Sequence, residues 1–303
     1  MQVLKGSFVA LVTPMLESGE VDYESLKKLI NWHIESGTSG IVSVGTTGES
    51  STLSIQEHLD VIKYSVETSG NRIPIIAGSG GNSTQEAIDL TLESKNLGAD
   101  AALLVTPYYN KPTQEGLILH YTAIANKVDI SQILYNVPSR TACDLLPQTA
   151  KTLAEHRNII GIKEALDDMN RIKDLVELTK DSKNFSILSG DDPTFLDSMQ
   201  LGASGVISVA ANIIPEKISS ICLNSISGNY ERAKKENDIY EDLLKFLFVE
   251  SNPIPVKWML SQMGYFNEKI RLPLTNLNET YHNKIKSTLK ELKILWSKVQ
   301  NYY

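Results

Sequence analysis

Cysteine is scarce in this chain: Cys143 and Cys222 are the only two among 303 residues. Two thiols so far apart build no disulfide framework and point to a reducing, cytoplasmic setting. No CxxC or HExxH occurs, and the five histidines (33, 58, 120, 156 and 282) form no HxxxH pair, so no metal site is expected. Long hydrophobic runs are missing too. No apolar stretch nears the roughly 18 residues needed to span a bilayer. The opening MQVLKGSFVALVTP shows no apolar run leading to a small-residue cleavage site. Positive charge is in deficit. A net charge of −7 and a pI near 5.4 argue against nucleic acid or an anionic membrane as partner. Nucleotide signatures are also lacking: no GxGxxG opens the first strand–helix unit, and 78-GSGGNS-83 falls short of a phosphate loop.

What is present is a repeating alternation of strand and helix. Apolar runs at 8–12, 40–44, 74–77, 101–105, 132–136, 159–163, 185–189 and 205–208 read as eight strands. Between them lie segments such as 23-YESLKKLINWHIESG-37, which sets Leu26, Leu29, Ile30, His33 and Ile34 on one helical face. One junction recurs as 37-GTSGIVSV-44, 98-GADAALLV-105 and 202-GASGVISV-209, with a glycine ending a helix before an apolar strand begins. This repetition predicts an α/β fold, a closed (β/α)8 barrel spanning 1–224, followed by a small helical appendage at 225–303. The lysine-rich stretch 279–303 reads as a solvated helix.

In such a barrel, function sits on the loops that follow the strands. The second strand ends in 45-GTTGES-50, whose two glycines and two threonine hydroxyls suit a carboxylate or phosphate. The plain alternative is a βα turn with Ser54 capping the next helix. The fourth ends in 106-TPYYNKP-112, where paired tyrosines serve packing or subunit contacts more often than catalysis. The fifth ends in 135-YNVPSRT-141, with Arg140 offering a fork for a carboxylate or simply a surface ion pair. The seventh ends in 189-SGDDP-193, where Asp192 before Pro193 reads as a helix N-cap.

The sixth strand, 159-IIGIKEALDD-168, ends on Lys163. Strand ends often carry a charge that merely reaches water. A lysine withdrawn from water, however, loses part of its preference for the charged form and becomes a nucleophile toward carbonyl carbon. Hydroxyls, Tyr135, Arg140 and Lys163 converging on one mouth suit imine chemistry on a small keto acid: the lysine forms a Schiff base, the tyrosine moves protons, and the N–H groups and arginine hold carboxylates.

The motifs GTTGES, PYYN, YNVPSRT, GIKEA, SGDD and 249-VESNPIPVKW-258 occur in this order between about Lys5 and Leu274. Together they resemble the pyruvate-dependent class I aldolase superfamily of dihydrodipicolinate synthase and N-acetylneuraminate lyase, with the synthase branch the nearer. The resemblance implies that Lys163 forms a Schiff base with pyruvate. It implies that Tyr135 donates and accepts protons in a relay through Thr46 to Tyr109, which reaches into a neighbouring subunit's site. Thr47, Gly190 and the backbone at Ile207 would bind pyruvate, and Arg140 would take the carboxylate of the second substrate, aspartate-4-semialdehyde. A homotetramer in lysine and diaminopimelate biosynthesis, with no metal or cofactor, is the corresponding expectation. Members inhibited by lysine bind it through residues matching Ser51, His58, Asn82, Glu86 and Tyr108. Two departures stand out. Leu166 and Asp167 replace the family's threonine and glycine after KEA, and Ile55 replaces a histidine common in inhibited members.

A sister lyase acting on N-acetylneuraminate or a keto-deoxy sugar acid is the main alternative. The first threonine of GTTGE and Arg140 both favour the synthase. A non-catalytic keto-acid-binding paralogue should have lost the lysine or tyrosine, and both are present. A flavin or sugar-phosphate barrel would need glycine-rich phosphate loops after the last two strands, which are missing.

Overall fold

The computed structural model describes residues 4–295. Among these, eight strands pair in parallel and in chain order: β1 (Gly6–Ala10), β2 (Gly40–Ser43), β3 (Ile75–Gly78), β4 (Ala101–Val105), β5 (Ser131–Asn136), β6 (Ile159–Glu164), β7 (Ser186–Ser189) and β8 (Gly205–Ser208). Strand β8 returns to β1, with Phe8 opposite Ile207, and closes the barrel. The expected (β/α)8 barrel is therefore the observed fold. Strand β1 begins and ends two residues earlier than the apolar run 8–12 suggests, because Gly6 already pairs with Gly205.

Around the barrel run α1 (Tyr23–Glu35), α2 (Ile55–Ser69), α3 (Thr84–Asn96), α4 (Gln114–Lys127), the short α5 (Pro138–Thr141), α6 (Pro147–Leu153), α7 (Met169–Thr179), α8 (Phe195–Gln200) and α9 (Pro215–Ile226). Local chemistry starts several of them. Asp22 accepts from the Ser25 N–H to begin α1, and Ser54 with Glu57 forms a reciprocal capping box on α2. The apolar residues divide into two shells. Phe8, Val42, Ile76, Leu103, Ile133, Leu188 and Ile207 fill the lumen, while Val9, Ile41, Ala77, Leu104, Leu134 and Ile187 face the helices.

Beyond α9 come α10 (Tyr230–Asp238), α11 (Glu241–Phe246), α12 (Ile254–Gln262) and α13 (Glu279–Glu291). Helix α12 is buried along most of its length and leads Lys257 and Trp258 into the protein. The solvated-helix expectation for 279–303 needs correction. Helix α13 is amphipathic: Ile285 and Leu289 are fully buried, His282 stacks on Trp258, and Lys286 lies over the same indole. Residues 296–303 of that stretch lie outside the described residues. No helix among the described residues is long and apolar enough to cross a membrane.

Candidate active site

Strand β6 carries the central feature. Its pairing with β5 slips: Gln132 faces Ile159, but the next residue, Ile133, faces Gly161, so Ile160 is an extra, bulged residue. The bulge resets the alternation. Ile160 points into the lumen, yet Ile162 packs in the outer shell. Simple alternation from Ile160 would have sent Lys163 outward; the bulge turns it inward, as bulges near active sites commonly do. Glycine is required at the turn of parity, since a Cβ on Gly161 would stand 2.6 Å from the Ser186 carbonyl oxygen. Lys163 is 5% exposed, and its Nζ lies 4.3 Å from the ring centroid of Tyr135, its register partner on β5.

A buried network braces the outer side of β5 and β6. Glu164, fully buried, pairs with Arg171 of α7 at 2.6 Å and accepts from Asn136 Nδ2 and the Leu166 N–H. Arg171 also pairs with Asp144 at 2.8 Å and donates to the Leu145 carbonyl. Burial pushes the Glu164 carboxyl above its ordinary range, against the pull of Arg171 and the surrounding donors. Lys163 thus sits between a lumen-facing tyrosine and an immobilised carboxylate on the opposite face of its own strand.

The remaining candidates fall into groups. Gly190 follows β7 beside the lysine stem, with its N–H bonded to the Glu164 carbonyl at 2.6 Å. Ile207 is fully buried in the lumen. Thr46 and Tyr135 line one cavity of about 50 Å³, together with Ser50, His58, Gly78 and Gly80. Thr47 is buried, and its hydroxyl accepts from Asn252 Nδ2 at 2.9 Å. The Asn252 carbonyl in turn accepts from Arg140 Nη2 at 3.4 Å, so one residue touches both the threonine loop and the arginine. Tyr109 stands apart: it is 89% exposed, on backbone with φ of 75°.

Of the residues matched to a lysine site, His58 is buried and shares the cavity with Thr46 and Tyr135. Its Nε2 binds the Gly78 carbonyl at 2.7 Å, and burial holds its pKa below the usual histidine value. Asn82 is half-buried, and its carbonyl takes a bond from Asn110 in the PYYN loop. Glu86 and Tyr108 are exposed, as is Ser51; it is the preceding Ser50 that faces the cavity.

Asp192 is not the N-cap its Asp-Pro context suggested. Helix α8 starts two residues later, and Asp191 takes the local role by accepting from the Thr194 N–H and hydroxyl. Asp192 is instead buried, accepting from the Ser208 hydroxyl and from the Val209 and Ala210 N–H groups. Burial lifts its carboxyl to about 6 despite those donors. It anchors the turn directly after Ile207. Reading the sequence also passed over Asn252, Glu49 and Lys257, although each lies within a motif already singled out. Among the described residues, no cluster of three His, Cys, Asp or Glu side chains is placed to hold a metal ion.

Residues 3–292 match the model of the dihydrodipicolinate synthetase family. A 4-hydroxy-tetrahydrodipicolinate synthase of Coxiella burnetii is 53% identical over 292 residues, covering 96% of this chain and 99% of the relative. One from Pseudomonas syringae is 51% identical over 97% of this chain and all of its own length. Among solved structures, a chloride-inhibited dihydrodipicolinate synthase of Acinetobacter baumannii in complex with pyruvate superposes with a TM-score of 0.94. It is 54% identical and covers 96% of this chain and 100% of its own.

Proposed function

The chain belongs to the dihydrodipicolinate synthetase family, and from that premise we propose how its barrel mouth performs the family's reaction. The activity is that of a lyase of lysine and diaminopimelate biosynthesis: the condensation of pyruvate with L-aspartate-4-semialdehyde, the 4-hydroxy-tetrahydrodipicolinate synthase reaction.

In our reading the Lys163 amine attacks the keto carbon of pyruvate, and loss of water leaves an imine. Removal of a methyl proton then gives an enamine, whose carbon adds to the aldehyde of the second substrate. The semialdehyde's own amine displaces Lys163 from the imine carbon, closing the ring and freeing the enzyme. Tyr135 carries protons on and off these centres, because its ring lies against the lysine. Thr46 continues the proton path across the shared cavity. Thr47, Gly190 and the backbone at Ile207 seat pyruvate, and Arg140 takes the semialdehyde's carboxylate. The observation that carries the reading is the β6 bulge, which turns a buried lysine onto a tyrosine in the lumen.

The chain works as a homotetramer in the cytoplasm. The exposure of Tyr109 supports the first statement, since a large aromatic held outward on left-handed backbone suits a neighbour's site. The buried free thiols Cys143 and Cys222 suit the second. Mixed oligomers of Tyr109→Phe and Lys163→Ala chains should recover turnover that neither has alone; no recovery would return Tyr109 to its own subunit. Ser51, His58, Asn82, Glu86 and Tyr108 form a lysine site in the same reading, to be tested by titrating lysine into the turnover assay.

The central test is borohydride reduction in the presence of pyruvate, with the modified residue mapped by mass spectrometry. Label at Lys163, lost in Lys163→Ala, is the expected result; label elsewhere sinks the assignment. Condensation should also outpace pyruvate release from N-acetylneuraminate or a keto-deoxy sugar acid.

A further inference from the structure

Glu49 and Lys257 lie 208 residues apart and form an ion pair in which the two side chains are 0% and 1% exposed. Glu49 ends the threonine loop that follows β2, while Lys257 belongs to α12, outside the barrel's own run of helices. The loop needs an external hold. Val44 and Glu49, both non-glycine, take left-handed backbone at φ of 56° and 58° on either side of Thr46 and Thr47. Such conformations persist where the surroundings over-determine them. The Thr13 hydroxyl donates to the Gly48 carbonyl at 2.7 Å from the β1 side, and the C-terminal region holds Thr47, Glu49 and Thr52. Glu49 accepts from Lys257 Nζ and from the Arg271 N–H at 3.1 Å. Asn252, two residues ahead of α12, donates to the Thr47 hydroxyl. The Arg271 guanidinium reaches the Thr52 carbonyl at 2.8 Å and pairs with Glu57.

Stability alone is a poor explanation for the pair. A buried ion pair repays its desolvation only with good geometry, and apolar residues of similar volume often serve as well. Burial also presses the Lys257 pKa down against the pull of Glu49. What apolar packing would not supply is direction, since a carboxylate with fixed donors sets the loop's backbone in one register. We propose that Glu49 and Lys257 are positioning residues that hold the Thr46–Thr47 loop in place for the carboxylate of pyruvate. This rests on the reading of that loop as the pyruvate subsite. Neither residue touches the substrate; they act through the loop.

The test is the pyruvate concentration that half-saturates borohydride trapping at Lys163, measured in the parent, Glu49→Gln, Lys257→Met and the double variant, each checked for folding by circular dichroism. Half-saturation should rise about tenfold or more in each single variant, while the label reached at saturating pyruvate and the KM for the semialdehyde stay within about twofold. The double variant should be no worse than the worse single one, because the two residues act as a unit. Where Lys257→Met alone does not fold, the double variant supplies the measurement, since it leaves no unpaired buried charge. Unchanged half-saturation in folded variants overturns the proposal, as does an equal rise for both substrates. A parent chain without label at Lys163 overturns the pyruvate reading itself, a separate outcome.

Discussion

Gly190→Ala tests whether the lysine's position, and not only its presence, carries the chemistry. An added Cβ would stand 2.8 Å from Lys163 Cε, 3.0 Å from its Cγ and 3.0 Å from the Ala165 Cβ. Carbon atoms pack at about 3.5–4.0 Å, so something must retreat by roughly 1 Å. The backbone is poorly placed to do so, because the Gly190 N–H holds the Glu164 carbonyl at 2.6 Å and ties the end of β7 to β6. The lysine stem is the flexible partner and yields. Its Nζ then leaves the face of Tyr135, from which it stands 4.3 Å in the parent. A methyl group forced into a packed region costs about 1–3 kcal/mol of stability, so the variant should still fold with a lowered Tm. A displacement near 1 Å from the reactive geometry can cost about a hundredfold in rate, or about 2.7 kcal/mol of barrier. The assay is the rate of borohydride trapping at saturating pyruvate, followed beside kcat and a thermal melt. A folded Gly190→Ala chain that traps pyruvate within twofold of the parent rate would refute the reasoning, since the lysine would then have slack the packing denies.

Arg171→Leu should destabilise the protein by about 3 kcal/mol at neutral pH, because Glu164 is left buried without its cation. Urea unfolding measures the loss, which should shrink when Glu164→Gln is added; a cost below about 1 kcal/mol would contradict a braced β5–β6 edge. For Asp192, a folded-state pKa of about 6 lies above the ordinary carboxylate value, so native protein holds its proton more tightly than unfolded chain does. Its contribution, about 3 kcal/mol, is present below about pH 4 and lost as pH rises through 6; Asp192→Asn should therefore be less destabilising, relative to the parent, at pH 7 than at pH 4. Denaturant titrations at the two pH values check this, and the opposite trend would mean that the Ser208, Val209 and Ala210 donors outweigh burial. Arg140→Ala should leave pyruvate trapping at Lys163 nearly unchanged while lowering turnover with the semialdehyde about ten- to a hundredfold, as loss of a charge-assisted pair of about 1.5–3 kcal/mol implies. Loss of trapping itself would place the arginine in the first half-reaction.

The strands were legible because each is a short apolar run closed by a glycine, proline or polar turn, and short-range pattern is what such runs express. The capping of α2 by Ser54 was readable for the same reason, since donor and acceptor lie three residues apart. Asp192 misled because Asp-Pro has a local meaning, while its real partners arrive at the end of β8 and just beyond it, sixteen or more residues later. Lys257 is further still from Glu49, and no periodicity links residues 208 positions apart. Lys163 is the instructive case. It drew attention as a charge ending a buried run, yet strict alternation along 159-IIGIKE-164 from the lumen-facing Ile160 would have turned it toward the helices. The one local trace of the bulge is Gly161 inside an otherwise branched apolar run, a position where glycine commonly marks a bulge or close backbone approach. The inward direction of Lys163 is therefore set by two missing side chains, with Gly161 freeing the backbone to shift parity and Gly190 leaving the space into which the lysine turns.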